Sequence, residues 1–160
     1  MKELVDIAER VAAQLIARKQ TIAVAESSAG GLISASLLAV SGASAYYLGG
    51  AVVYTRDARR VLMDISDDGM KGFRSSSEPY AQLLAEQMRS RFNCDWGLSE
   101  TGAAGPTGNR YGDAAGHSCM AVAGPAAEVM TLETGSDDRF ANMQVFAATA
   151  LKLLLRKLEG

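Results

Sequence analysis

The sequence is poor in the residues that most often mark a site. Its 160 residues include one histidine, His117, and two cysteines, Cys94 and Cys119. The cysteines are far apart and match no metal-ligand spacing. Neither a disulfide framework nor a histidine- or thiolate-based metal site is expected, and both cysteines read as buried free thiols. His117 falls within a predicted strand, away from any serine motif. That argues against a Ser-His-Asp triad and marks the histidine as structural. No apolar run approaches the roughly 18 residues that span a bilayer. The N-terminal stretch MKELVDIAERVAAQLIARK carries charges throughout and lacks a signal-peptide core. Neither sign of charge dominates: 16 basic side chains face 18 acidic ones, for a net charge of −2. The chain as a whole therefore gives no electrostatic argument for nucleic acid or an anionic membrane. These absences point to a cytoplasmic protein with neither of those partners and no metal.

What is present fits one domain over residues 1–160, long enough to bury a substantial core. Hydrophobic residues make up 48% and charged residues 21%, ordinary values for a globular chain. No repeat, linker or low-complexity segment interrupts it. The central stretch is Thr21 to Val40. Ile22-Ala23-Val24-Ala25 is a short apolar run, Gly30-Gly31 a turn, and Leu32, Ile33, Leu37 and Leu38 have helical spacing. The pattern predicts a buried strand, a tight turn and a helix. Such a turn offers backbone N–H groups at the mouth of a sheet, where an anion or acyl oxygen can be held. It is equally compatible with close helix–strand packing, with Ser27 or Ser28 as an N-cap.

Before it, Leu4, Val5, Ala8, Val11, Ala12, Leu15 and Ile16 form a helical stripe over residues 2–18. After it, Gly49-Gly50 reads as a second turn and Ala51 to Tyr54 as a strand. Tyr46 and Tyr47 before that turn are read as packing residues. Thr55 caps a helix to Met63, so Tyr54 falls near a strand end and Arg59 about one turn into the helix. Residues 65–77 read as a loop. Glu78 to Phe92 is a helix capped by Ser77 with Pro79 near its start. A strand over Asp95 to Glu100 leads into the glycine-rich loop Thr101 to Gly112, the longest irregular stretch. Thr107 and Asn109 fit there as turn residues. A hairpin of His117–Ala123 and Ala127–Leu132 follows. Asp137 and Asp138 open a last helix, to about Leu158. The order α-β-α-β-α-α-β-β-β-α predicts a three-layer α/β/α domain with a mixed, mostly parallel sheet. Two hydroxyl-bearing glycine loops, each after a strand, suit serine attack on an amide with backbone donors around the oxyanion.

The stretch AESSAGGLISASLLAVSGASAYYLGGAVVYTRDAR strongly resembles the C-terminal domain of the competence/damage-inducible protein CinA, a family that includes the stand-alone nicotinamide mononucleotide deamidases. The family's wording is AES-C-T-GG, then G-S-S, then V-x-Y-[ST]-N-x-x-K, and later T-G-x-AGP-x-GG. TGAAGPTGNR matches the later loop, and GSDDR at 135–139 resembles the family's G-D-x-x-R segment. The resemblance runs in order over nearly the whole chain. It implies a metal- and cofactor-free amidohydrolase that converts nicotinamide mononucleotide and water to nicotinic acid mononucleotide and ammonia. It implies Ser27 as nucleophile, with Tyr54 and the position of Arg59 in catalysis. Ser44, Thr101 and Arg139 match other active-site positions, and Gly30, Gly31, Gly102 and Gly105 would supply backbone donors. Arg139 would suit the substrate phosphate. The resemblance also implies self-association into a homo-oligomer.

The departures gather around the implied pocket. Arg59 stands where the family has the lysine of a serine–lysine pair, and an arginine stays protonated and cannot accept the serine proton. Ser28-Ala29 replaces Cys-Thr, Arg56 replaces asparagine, and Asp113-Ala114-Ala115 stands in place of Lys-Pro. Two functions are therefore expected from this sequence: an active amidohydrolase, or a silent paralogue that binds a nucleotide or a protein partner.

Overall fold

The apolar stripe of residues 2–18 becomes helix α1 (Lys2–Arg18), which buries Leu4, Ile7, Ala8, Val11, Ala12 and Leu15. The structure is a computed structural model describing residues 1–160. Strand β1 (Ile22–Glu26) follows and is buried at every position, because it lies inside the sheet with helices over both faces. The chain continues through α2 (Leu32–Leu38), β2 (Tyr47–Val52), α3 (Arg56–Met63) and α4 (Glu78–Phe92). It ends with β3 (Trp96–Ala103), β4 (His117–Ala123), β5 (Glu128–Glu133) and α5 (Arg139–Glu159).

The sheet order is β2-β1-β3-β4-β5. β2 and β3 each pair parallel with β1, β4 runs antiparallel to β3, and β5 antiparallel to β4. Four strands thus point one way and β4 alone opposes them. α1, α2 and α5 cover one face over a core that includes Ile22, Val24, Trp96, Leu98 and Phe146. α3 and α4 cover the other through Met63, Tyr80, Leu84 and Met88. This is the three-layer α/β/α architecture with a mixed sheet that the element order implied. No helix is long and apolar enough to cross a membrane.

Local signals account for most boundaries. Thr55 Oγ1 accepts the N–H of Ala58, and Ser77 Oγ that of Tyr80, so both hydroxyls cap as expected. Asp138 caps α5 through the N–H of Ala141. Two expectations need correction. Gly49 and Gly50 are not a turn but the middle of β2, which ends at Val52. A Cβ on Gly50 would sit 2.6 Å from the Tyr47 hydroxyl and 2.9 Å from the Val24 carbonyl oxygen, so close approach favours glycine there, while one on Gly49 would meet only the tip of the half-exposed Phe92 ring, at 2.8 Å. Likewise Thr101, Gly102 and Ala103 are not loop but the last residues of β3, paired with Cys119, Ser118 and His117.

The parallel strands β1, β2 and β3 run out at one edge of the sheet. There Ser27, the segment from Val53 to Thr55, and the loop from Ala104 converge.

Candidate functional site

At that edge two glutamates organise the turn between β1 and α2. Glu26, the last residue of β1, is fully buried. Its carboxylate accepts the N–H groups of Gly31 at 2.8 Å, Ile33 at 3.1 Å and Ser34 at 2.9 Å. It therefore caps α2, and neither Ser27 nor Ser28 does. Glu100, on β3, is also fully buried. Its Oε1 accepts the N–H groups of Ser27 at 3.1 Å and Ala29 at 2.7 Å. Its Oε2 accepts the hydroxyl of Ser118 at 2.8 Å and that of Ser28. Burial raises the pKa of both carboxyls, and these hydrogen bonds oppose the rise. Five backbone donors of this turn, expected to be free for an anion or an acyl oxygen, are engaged by the protein's own carboxylates, and those of Gly30 and Leu32 by backbone carbonyls.

Ser27, Tyr54, Arg59, Thr101 and Gly102 all line one cleft of about 500 Å³. Gly105 and Arg139 line an adjoining lobe of about 230 Å³ that also includes Ser28 and shares Tyr54 and Gly102 with the first. Gly30 and Gly31 line neither, and the Gly31 N–H belongs to Glu26. Ser44 sits on a 3-10 turn, Ala43–Ala45, before β2, at the opposite edge of the sheet from the cleft. Tyr54 is 61% exposed, and its hydroxyl accepts from Arg139 Nη2 at 3.0 Å. The other arm of Arg139 donates to the Gly105 carbonyl at 2.5 Å.

Arg59 is only 8% exposed. Its Nε donates to the Ile65 carbonyl at 3.2 Å and its Nη2 pairs with Asp67. These bonds tie α3 to the loop that follows, and a guanidinium so held is no proton acceptor. Thr101 Oγ1 accepts the N–H of Ser76 at 3.1 Å, fixing the strap ahead of α4 against the end of β3.

The wall of the larger lobe is cationic. Arg56, Arg59, Arg74 and Arg110 line it, and no Asp or Glu does. Arg74 forks onto Asp113 at 2.7 and 3.1 Å. Tyr111 lies between Arg74 and Arg110, whose guanidinium carbons are 5.2 and 5.1 Å from its ring centre. Sequence reasoning singled out neither Glu100 nor Arg74, Arg110, Tyr111 and Ser76. The one signal for Glu100 was a carboxylate inside a strand expected to be buried.

His117 braces the same strap. Its Nδ1 lies 2.5 Å from Glu133 Oε1, its Nε2 2.7 Å from the Ser76 carbonyl, and Asp113 is 3.5 Å away. Acceptors at both ring nitrogens favour the imidazolium. Burial opposes that charge, but the bonds to Glu133 and Ser76 and the field of Asp113 outweigh it, so the pKa lies above the usual 6.5. A raised pKa means this stabilisation is complete below the ordinary histidine range and is lost as pH rises through the folded value. Chemical denaturation between about pH 6 and pH 9 is expected to show stability falling with pH. His117→Gln should flatten that fall, and an unchanged slope would overturn the imidazolium assignment.

The comparisons with known proteins agree with this architecture. The family model for the CinA C-terminal domain matches residues 4–158. A CinA-like protein of Synechococcus sp. (strain CC9902) is 41% identical over 105 residues, which are 66% of this chain and 25% of that protein. One from Gloeothece citriformis (strain PCC 7424) is 34% identical over 151 residues, 92% of this chain and 36% of that one. The chain thus spans about a quarter to a third of the length of these curated relatives. The crystal structure of a competence-damaged protein (CinA) superfamily member from Klebsiella pneumoniae 700603 superposes with a TM-score of 0.90 at 26% identity, covering 98% of both chains. A competence/damage-inducible protein from Agrobacterium tumefaciens gives 0.89 at 25% identity, covering 99% of this chain and 96% of its own. With the model match running from within α1 to the end of α5, and the solved folds agreeing over nearly every residue, this chain belongs to the CinA C-terminal domain family.

Proposed function

We propose that the cleft binds a nucleotide through its phosphate and hydrolyses a carboxamide on it. Nicotinamide mononucleotide is the substrate that the family resemblance implies. The observation that carries this reading is the composition of the cleft: four arginines, of which Arg56 and Arg110 have no carboxylate partner, no carboxylate in the lining, and the hydroxyl-bearing Ser27 and Thr101 in the same space. Such a wall attracts an anionic ligand even on a chain with net charge −2. Arg139, oriented by Gly105 and bonded to Tyr54, is the phosphate-binding group in this reading.

Serine addition to an amide needs an acceptor for the hydroxyl proton, and Arg59 supplies none. Glu100 does. It is held on the Ser27-Ser28-Ala29 turn, it already accepts the Ser28 hydroxyl, and burial raises its pKa above the ordinary carboxylate value, which makes it a stronger proton acceptor. The serine oxygen bonds to the amide carbon as its proton passes to Glu100. The C–N bond then breaks as that proton goes to the departing ammonia. Water cleaves the acyl-serine by the same exchange. Family resemblance assigns the attack to Ser27, whereas the bond to Glu100 favours Ser28 as the second candidate. The locked Arg59 favours a second reading, a paralogue that binds nucleotide without turning it over.

Ammonia release from nicotinamide mononucleotide separates these readings when the parent is compared with Ser27→Ala, Ser28→Ala and Arg59→Lys. Hydrolysis predicts turnover in the parent and a loss of about 10⁴–10⁶ in the variant that lacks the attacking serine. Silence in all four proteins, with thermal stabilisation by the nucleotide retained, would leave only the binding reading.

A further inference from the structure

The two lobes of the cleft carry separate cationic groups. In the smaller lobe Arg139 stands alone. In the larger, Arg59 is matched by Asp67 and Arg74 by Asp113. Arg56 and Arg110 are exposed on that wall and have no carboxylate partner. Arg110 is nonetheless held in place: its guanidinium stacks on Tyr111 and donates to the phenol oxygen at 3.1 Å. The loop that presents it is fixed from within. Asn109 Oδ1 accepts the N–H groups of Tyr111 at 3.0 Å and Asp113 at 3.2 Å, while its amide donates to Asp113 at 2.8 Å. Two unmatched cations on one concave wall that no carboxylate lines leave a positive field there for an anion to occupy. A single phosphate on Arg139, in the other lobe, leaves that field unmet.

We infer that the larger lobe is a second phosphate subsite, built on Arg56 and Arg110, and that the preferred ligand is a nucleotide bearing a phosphate beyond the first, of the dinucleotide class. This deepens the nucleotide reading above and rests on it. The second phosphate sits against the Arg110–Tyr111 stack, and the first remains with Arg139. The phosphate monoester of a mononucleotide carries nearly as much charge as the two phosphates of a dinucleotide, so discrimination comes from where that charge sits, one phosphate against each cationic group, and it weakens as salt screens those contacts.

Titration calorimetry on the intact protein with two probes tests this: nicotinamide mononucleotide, with one phosphate, and nicotinamide adenine dinucleotide, with two. The dinucleotide is expected to bind about tenfold or more tightly at low salt. Arg56→Ala and Arg110→Ala should each weaken the dinucleotide more than the mononucleotide, and high salt should narrow the gap. Arg139→Ala should weaken both. Equal affinities, or a preference that survives both arginine substitutions, would overturn the second subsite. Binding of the mononucleotide alone sinks this inference and leaves the nucleotide reading standing; binding of neither sinks both.

Discussion

Glu26→Ala is expected to destabilise the protein by about 3–5 kcal/mol, seen as a lower denaturation midpoint with little change in the slope of the transition. The side chain accepts three backbone N–H groups at the start of α2, and no hydroxyl or other carboxylate shares that work. Ile33, one of those donors, is fully buried, so water cannot replace the lost acceptor there. Glu26→Gln is the sharper variant, because it keeps the volume. One oxygen can still accept from two of the donors, but the amide nitrogen is then set against the third. Backbone N–H groups cannot rotate away from such a clash. A cost of about 1–3 kcal/mol is expected for the glutamine. Wild-type stability in both variants would mean that Glu26 does not cap α2. The consequence reaches the cleft, since α2 anchors the far end of the turn that carries Ser27 and Ser28.

The fold was legible because its signals are local. The stripe of α1, the capping serine and proline of α4, and the aspartate before α5 can each be read within a few residues of chain. The misread boundaries depend on partners distant in sequence. Gly49 and Gly50 look like a turn until the Phe92 ring and the Tyr47 hydroxyl are placed over them. Thr101 to Ala103 look like loop until β4 pairs with them. The candidate site divides in the same way. Ser27, Tyr54, Arg59, Thr101 and Gly102 belong to motifs and meet in the cleft. Glu100 gains its role only when β3 lies beside β1, and Arg74 only when its strap meets Asp113. Ser44, placed by motif alone, lies at the other edge of the sheet.

Glu100→Gln is expected to lower amide hydrolysis by about 10²–10⁴ while leaving the fold intact. The contrast with Glu26 lies in the donors. Two of the four groups on Glu100 are backbone N–H groups, and both point at Oε1. The other two are hydroxyls on Oε2, those of Ser28 and Ser118. A glutamine fits with its carbonyl at Oε1 and its NH₂ at Oε2, because both hydroxyls can turn and accept. Ser118 then keeps the Thr101 carbonyl, 3.3 Å away, as a place to donate. The fold therefore retains a satisfied network, but the group that takes the serine proton is gone. Stability adds a second readout with a definite sign. Burial holds the Glu100 pKa above its unfolded value, so its favourable contribution is present in acid and declines as pH rises through the folded pKa. The glutamine variant has no such decline, and its stability relative to the parent should increase with pH. Full turnover in Glu100→Gln would remove this carboxylate from the reaction, and would leave an active enzyme needing another proton acceptor.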